Sequence, residues 1–205
     1  GKRHDLGRVA MAPHNLGLTY VGACLLWIGW LGFNAGSELV ADGVSALAFI
    51  NTVLCPAVAA LTWMVAEWIL FKKPSTLGTA SGVLAGLVAI TPACAFVGPM
   101  GAIVIGIAAG LACLWGVHGF KKLTKIDDSL DVFGVHGIGA IVGGVLTGVF
   151  CDPSLGGTGF KGDWTSIAGQ VYGQTMSLVV AMLWSFVVSI IAFKLASVLV
   201  GLRVT

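Results

Sequence analysis

Asp131-Val-Phe-Gly-Val-His136-Gly-Ile-Gly139 opens an uncharged run that extends to Cys151. A helix needs about 20 residues to cross the hydrocarbon of a bilayer, and this run supplies them. It also carries a histidine into that apolar wall, where an ionisable ring is costly and marks a functional candidate. Lys125 is the last basic residue before the run. Eleven helical residues further on, at about 1.5 Å each, His136 lies roughly 16 Å deeper, near the bilayer midplane. Asp131 falls in the expected first turn, where a carboxylate suits the positive end of the helix dipole. Val132 and His136, spaced i and i+4, share one helical face.

The rest of the chain is built the same way. Only 10% of its 205 residues are charged, with a mean hydropathy of +0.97, against about a quarter charged in a soluble domain. Charge-free runs cover 9–37, 43–66, 74–120, 132–151 and 164–193. The third is long enough for two crossings, and Thr91-Pro92 to Gly98-Pro99 is the break. The pattern predicts an all-α integral membrane protein, a single transmembrane domain over 1–205. Its six helices fall near 16–37, 43–70, 75–91, 100–120, 130–150 and 165–201. A membrane β-barrel would need ten-residue alternating segments, and none occurs. Lys and Arg at 2, 3, 8, 72, 73, 121, 122, 125, 194 and 203 fall on one side of this path, and Lys161 alone on the other. The positive-inside rule then places both ends of the segment in the cytoplasm. Basic residues scattered at helix ends do not read as a nucleic-acid surface.

The five cysteines, at 24, 55, 94, 113 and 151, form no CxxC and no His-spaced set. They read as small core residues rather than metal ligands or disulfides. No cofactor motif is present. Pairs such as Gly32/Gly36, Gly82/Gly86, Gly106/Gly110, Gly139/Gly143 and Gly144/Gly148 have the spacing that lets helices approach closely in lipid. Glu67, beside Lys72 and Lys73, reads as an interfacial structural charge. His14 reads as an interfacial or capping residue and His118 as structural. Gln170 and Gln174 read as interhelical hydrogen-bonders.

The first helix supplies a second lane. Leu26, Trp30, Phe33 and Ser37 recur at i, i+4, i+7 and i+11, so they share a face. A hydroxyl above an aromatic above apolar residues could hold a cation and strip its water. The same bulky side chains also suit ordinary packing against lipid or protein. At the midplane, burial disfavours imidazolium, so His136 should be neutral, with one donor and one acceptor. A bare cation there would face a desolvation cost of order 20 kcal/mol. The residues therefore suggest a channel or transporter for a small solute, with no nucleophile–base pair near His136 to suggest an enzyme.

The stretch 131–139, together with Gly29-Trp-Leu-Gly-Phe-Asn-Ala-Gly-Ser37, Thr91-Pro-Ala-Cys94 and Gly201-Leu-Arg-Val204, resembles the ammonium transporter family (Amt/Mep/Rh), in its bacterial Amt branch. The resemblance implies an eleven-helix fold of which this chain holds the last six, and a homotrimer with one pore per protomer. It implies an outer vestibule where Ser37 and aromatic rings recruit ammonium, partly by cation–π attraction. It makes Phe33 a gate residue, His136 the second of two pore histidines, and Leu26, Trp30 and Val132 lumen-wall positions. Asp131 becomes a buried supporting acid. A PII-type signalling protein is the implied cytoplasmic partner, touching loops near 71–75 and 121–128. The family's first five helices and its cytoplasmic tail are missing, so a fragment of a longer transporter is expected. The other reading is a non-conducting sensor or truncated subunit.

Overall fold

The computed structural model describes residues 12–160 and 162–202. Lys2, Arg3, Arg8, Lys161, Arg203 and Val204, which entered the charge and motif arguments, lie outside the described residues. Six long helices follow one another: α1 (Leu16–Gly36), α2 (Gly43–Phe71), α3 (Thr76–Ile90), α4 (Pro99–Thr124), α5 (Phe133–Phe150) and α6 (Ile167–Leu199). Among the described residues there is no strand. Five of the six are long and apolar enough to cross a membrane. The sixth, α3, has 15 residues and is the most enclosed, with ten of them buried. The chain is an all-helical, multi-pass membrane protein.

Local chemistry sets the helix starts. Asn15 accepts the backbone N–H of Leu18 and caps α1, so the cap is Asn15 rather than the exposed His14. Asp42 accepts from Val44 and Ser45, whose hydroxyl in turn takes the Asp42 N–H, closing a capping box. Ser75 caps α3 through the Gly78 N–H. Glu67 completes that start: it accepts the Ser75 N–H at 2.7 Å and the Ser75 hydroxyl and Trp63 Nε1–H at 3.1 Å each. It is 6% exposed. Glu67 is thus a structural charge, as its place beside Lys72 and Lys73 suggested, and a buried one, because three donors replace water around its carboxylate.

Glycines bring α3 and α4 onto α2 from two sides. A Cβ on Gly82 would lie 2.9 Å from the Ala60 Cα, and one on Gly86 would lie 2.9 Å from the Pro56 nitrogen. On the other side, a Cβ on Gly106 would meet the Cys55 carbonyl at 2.7 Å and one on Gly110 the Ala59 carbonyl at 2.8 Å. Close backbone approach of this kind is what small-xxx-small spacing permits in lipid. Gly32 and Gly36 differ: a Cβ there would meet nothing within 4 Å. Their face of α1 is left uncovered by the described residues. Asn51, fully buried, donates to the carbonyls of Cys94 and Val97 and so ties α2 to the turn between α3 and α4.

Helix α6 lies outermost. It touches α5 where Leu178 meets Gly144 and Val171 meets Gly148, and its most apolar window has no buried residue. Gln170 donates to the Trp164 carbonyl at 2.7 Å, in the segment leading into its own helix. That bond holds the entry of α6.

Candidate functional site

His136 stands on a wide turn. Phe133–Gly137 winds as a π-helix before α5 continues as an α-helix from Ile138. Single π turns recur at functional sites because they re-aim side chains within a helix. A second π turn, Gly116–Phe120, lies in α4 and packs against the first. It carries His118, whose ring meets Phe71 edge-on at 5.1 Å.

The start of α5 is held by Asp128. Its carboxylate accepts the N–H groups of Val132 at 2.8 Å, Phe133 at 2.9 Å and Gly134 at 3.3 Å. Asp131, expected in the first turn, instead adopts left-handed backbone (φ 56°) just ahead of the helix. From there its side chain turns to Lys121 of α4, at 2.7 Å, and remains 28% exposed rather than buried. The capping role therefore belongs to Asp128, three residues earlier, because the chain reverses at Asp131.

His136 opens into a cleft of about 620 Å³ between four helices. Helix α1 contributes Trp30 and Phe33, α3 and its following turn contribute Val88, Thr91 and Pro92, and α5 contributes His136, Ala140 and Gly144. One face of α6, bearing Gln174, Ser177, Leu178 and Ala181, forms the remaining wall. The walls are apolar apart from these few polar groups, as small-solute sites usually are. Trp30 is oriented by two contacts. Its Nε1–H donates to the Thr91 hydroxyl at 2.8 Å, which itself donates to the Leu87 carbonyl. Its ring meets Phe33 edge-on, with centroids 6.3 Å apart. Elsewhere in α1, Trp27 donates to the Thr52 carbonyl and Asn34 to the Thr52 hydroxyl.

Trp30, Phe33 and His136 thus meet in one cavity. Leu26 and Val132 are exposed and lie off its lining. Ser37 follows the end of α1 with its hydroxyl donated back to the Phe33 carbonyl. His136 is itself exposed on the open side of the cleft, in place of the enclosure expected at the midplane. The described residues cover only part of its surroundings. Thr91, Gln174 and Asp128 were missed as site-forming residues. Thr91 sits in the Thr91-Pro92 helix break, which signals a turn but not the bond to Trp30. Among the described residues no cluster of three metal-ligating side chains occurs.

Comparison with known proteins agrees with this architecture. The model of the Ammonium Transporter Family matches residues 1–205. The ammonium transporter of Bacillus subtilis (strain 168) is 44% identical over 205 residues, 100% of this chain and 50% of that protein. The ammonium transporter Amt1 of Archaeoglobus fulgidus is 41% identical over 212 residues, covering 100% of this chain and 51% of its own length. Among solved structures, one titled a sensor Amt protein superimposes with a TM-score of 0.86 at 31% identity, covering 94% of this chain and 46% of that one. Saccharomyces cerevisiae Mep2 gives 0.82 at 32% identity, covering 95% and 45% respectively. The chain spans about half the length of the curated relatives it matches. With a family model matched end to end and a helical bundle shared with Amt and Mep structures, this chain belongs to the ammonium transporter family.

Proposed function

We propose that this chain forms part of an ammonium transport path, in which ammonium is recruited at an outer vestibule, gives up a proton and passes as ammonia beside His136. The observation that carries this reading is the single cleft shared by Trp30, Phe33 and His136. Its apolar walls would penalise a bare cation heavily, while a neutral imidazole could hydrogen-bond ammonia as donor or acceptor. Phe33, packed on Trp30, is the gate above that lane. Ser37, one helical turn beyond Phe33, is the recruiting hydroxyl, with cation–π attraction from the nearby rings. Leu26 and Val132, off the cleft here, become lumen wall once the uncovered side is closed. Asp131 supports the path through its ion pair with Lys121. The six helices are the later part of a longer protein, with both ends of the segment cytoplasmic, assembled as a homotrimer and met on the inner side by a PII-type protein.

The test is methylammonium uptake by the full-length protein in cells and liposomes. His136→Ala should change rate or selectivity; a variant indistinguishable from the parent would remove His136 from the path. A second reading, a non-conducting ammonium sensor, is favoured by the likeness to the structure titled a sensor Amt protein. Ammonium binding by purified protein that conducts nothing in liposomes would select it.

A further inference from the structure

The cleft has one polar side chain whose role the transport reading leaves open. Gln174 lies on its α6 wall, on the same face as Ser177, Leu178 and Ala181. The other polar groups there are largely committed. Trp30 donates to Thr91, Thr91 donates to Leu87, and Ser177 donates to the Gly173 carbonyl. The side chains of His136 and Gln174 make no hydrogen bond to another described residue. A primary amide carries two donors and two acceptor lone pairs. Left without partners in a membrane interior, such a group costs several kcal/mol, so its place on an otherwise apolar wall needs a ligand, water or another polar group opposite it.

Its depth follows from the contacts between α5 and α6. Leu178 meets Gly144, and Val171 with the Gln170 backbone meets Gly148. Gln174 therefore stands between those two levels, further along α5 than Gly144. His136 lies eight residues before Gly144, about 12 Å away along a helix. The cleft thus runs from the imidazole at one end to the amide at the other. Trp30 and Phe33 stand across from α6.

We propose, resting on the transport reading above, that Gln174 is a solute-contacting residue at the outer end of this cleft. Its amide oxygen accepts an N–H of the arriving ammonium ion and replaces part of its water before the proton is lost.

The test uses the full-length protein and methylammonium uptake, with half-saturation and maximal rate measured separately. Gln174→Met keeps the length of the side chain but removes the acceptor. It should raise half-saturation about fivefold, the effect of one lost hydrogen bond, with maximal rate and membrane abundance retained. Gln174→Glu keeps an acceptor of the same reach and should hold half-saturation at or below the parent value, which also covers the case in which the Met variant does not accumulate. Half-saturation within twofold of the parent in Gln174→Met, or raised in Gln174→Glu, overturns the assignment. A parent protein that takes up no methylammonium would instead overturn the transport reading itself, so the two failures are separable.

Discussion

Gly116 of α4 and Gly134 of α5 stand back to back: a Cβ on Gly116 would lie 2.7 Å from the Gly134 carbonyl oxygen, and one on Gly134 would lie 3.0 Å from the Val117 nitrogen. Each glycine opens a Gly-Val-His-Gly sequence, 116–119 and 134–137. The turn that aims His136 is therefore braced against its counterpart by bare backbone. Gly134→Ala should cost about 1–3 kcal/mol, the usual range for overpacking, and should impair uptake beyond its effect on protein abundance. Thermal unfolding in detergent alongside uptake checks this. A variant as stable and active as the parent would show that the crossing can relax.

Asp128 and Asp131 can be told apart by substitution. Asp128→Ala removes the acceptor for three N–H groups at the start of α5, and a lost cap costs about 1–2 kcal/mol. Asp131→Ala breaks a partly exposed ion pair, for which the expected cost is below about 1 kcal/mol. Chemical or thermal denaturation of both variants measures the order, and Asp131→Ala as the more damaging change would reverse the assignment of the cap.

Six helical segments were legible in the sequence because the apolar runs are long and the charges cluster at their ends. The close contacts at Gly82, Gly86, Gly106 and Gly110 were legible too, since they follow from helical spacing. Gly32 and Gly36 have the same spacing and touch nothing among the described residues, because spacing names a face without naming what covers it. Trp30 and Phe33 were placed on one face by periodicity, but the bond from Trp30 to Thr91 spans 61 positions and has no local signature. The π turns were invisible for a different reason: an extra residue in one turn leaves the apolar composition unchanged. Which of Asp128 and Asp131 caps α5 depends on the left-handed backbone at Asp131, a conformation non-glycine residues adopt only rarely.

The Trp30–Thr91 bond invites a double-mutant cycle. Thr91→Val keeps the shape but leaves the indole N–H without its partner, at a cost of about 1–3 kcal/mol. Trp30→Phe removes the donor itself. The double variant should be more stable than the sum of the single losses predicts, with a coupling energy of about 1 kcal/mol. Strict additivity in unfolding measurements would mean that the bond contributes nothing.

Glu67 is the remaining strong prediction. Glu67→Ala leaves the Ser75 N–H and the Trp63 indole N–H without their acceptor, and a buried bond to a charged group is worth about 1.5–3 kcal/mol. Glu67→Gln keeps one carbonyl and should lose less. Equal stability of the two variants would place the effect in packing over Gly78 rather than in hydrogen bonding.

The length of α6 has a geometric consequence. Thirty-three residues at about 1.5 Å each make a rod of roughly 50 Å, against a hydrocarbon slab of about 30 Å. Lying wholly within that slab, such a rod would drift sideways by about 40 Å while crossing it. That sweep equals several helix diameters, so a single element could run obliquely over several neighbours like a diagonal batten. Its footprint would then vary with the thickness of the bilayer, shortening in thick membranes and lengthening in thin ones.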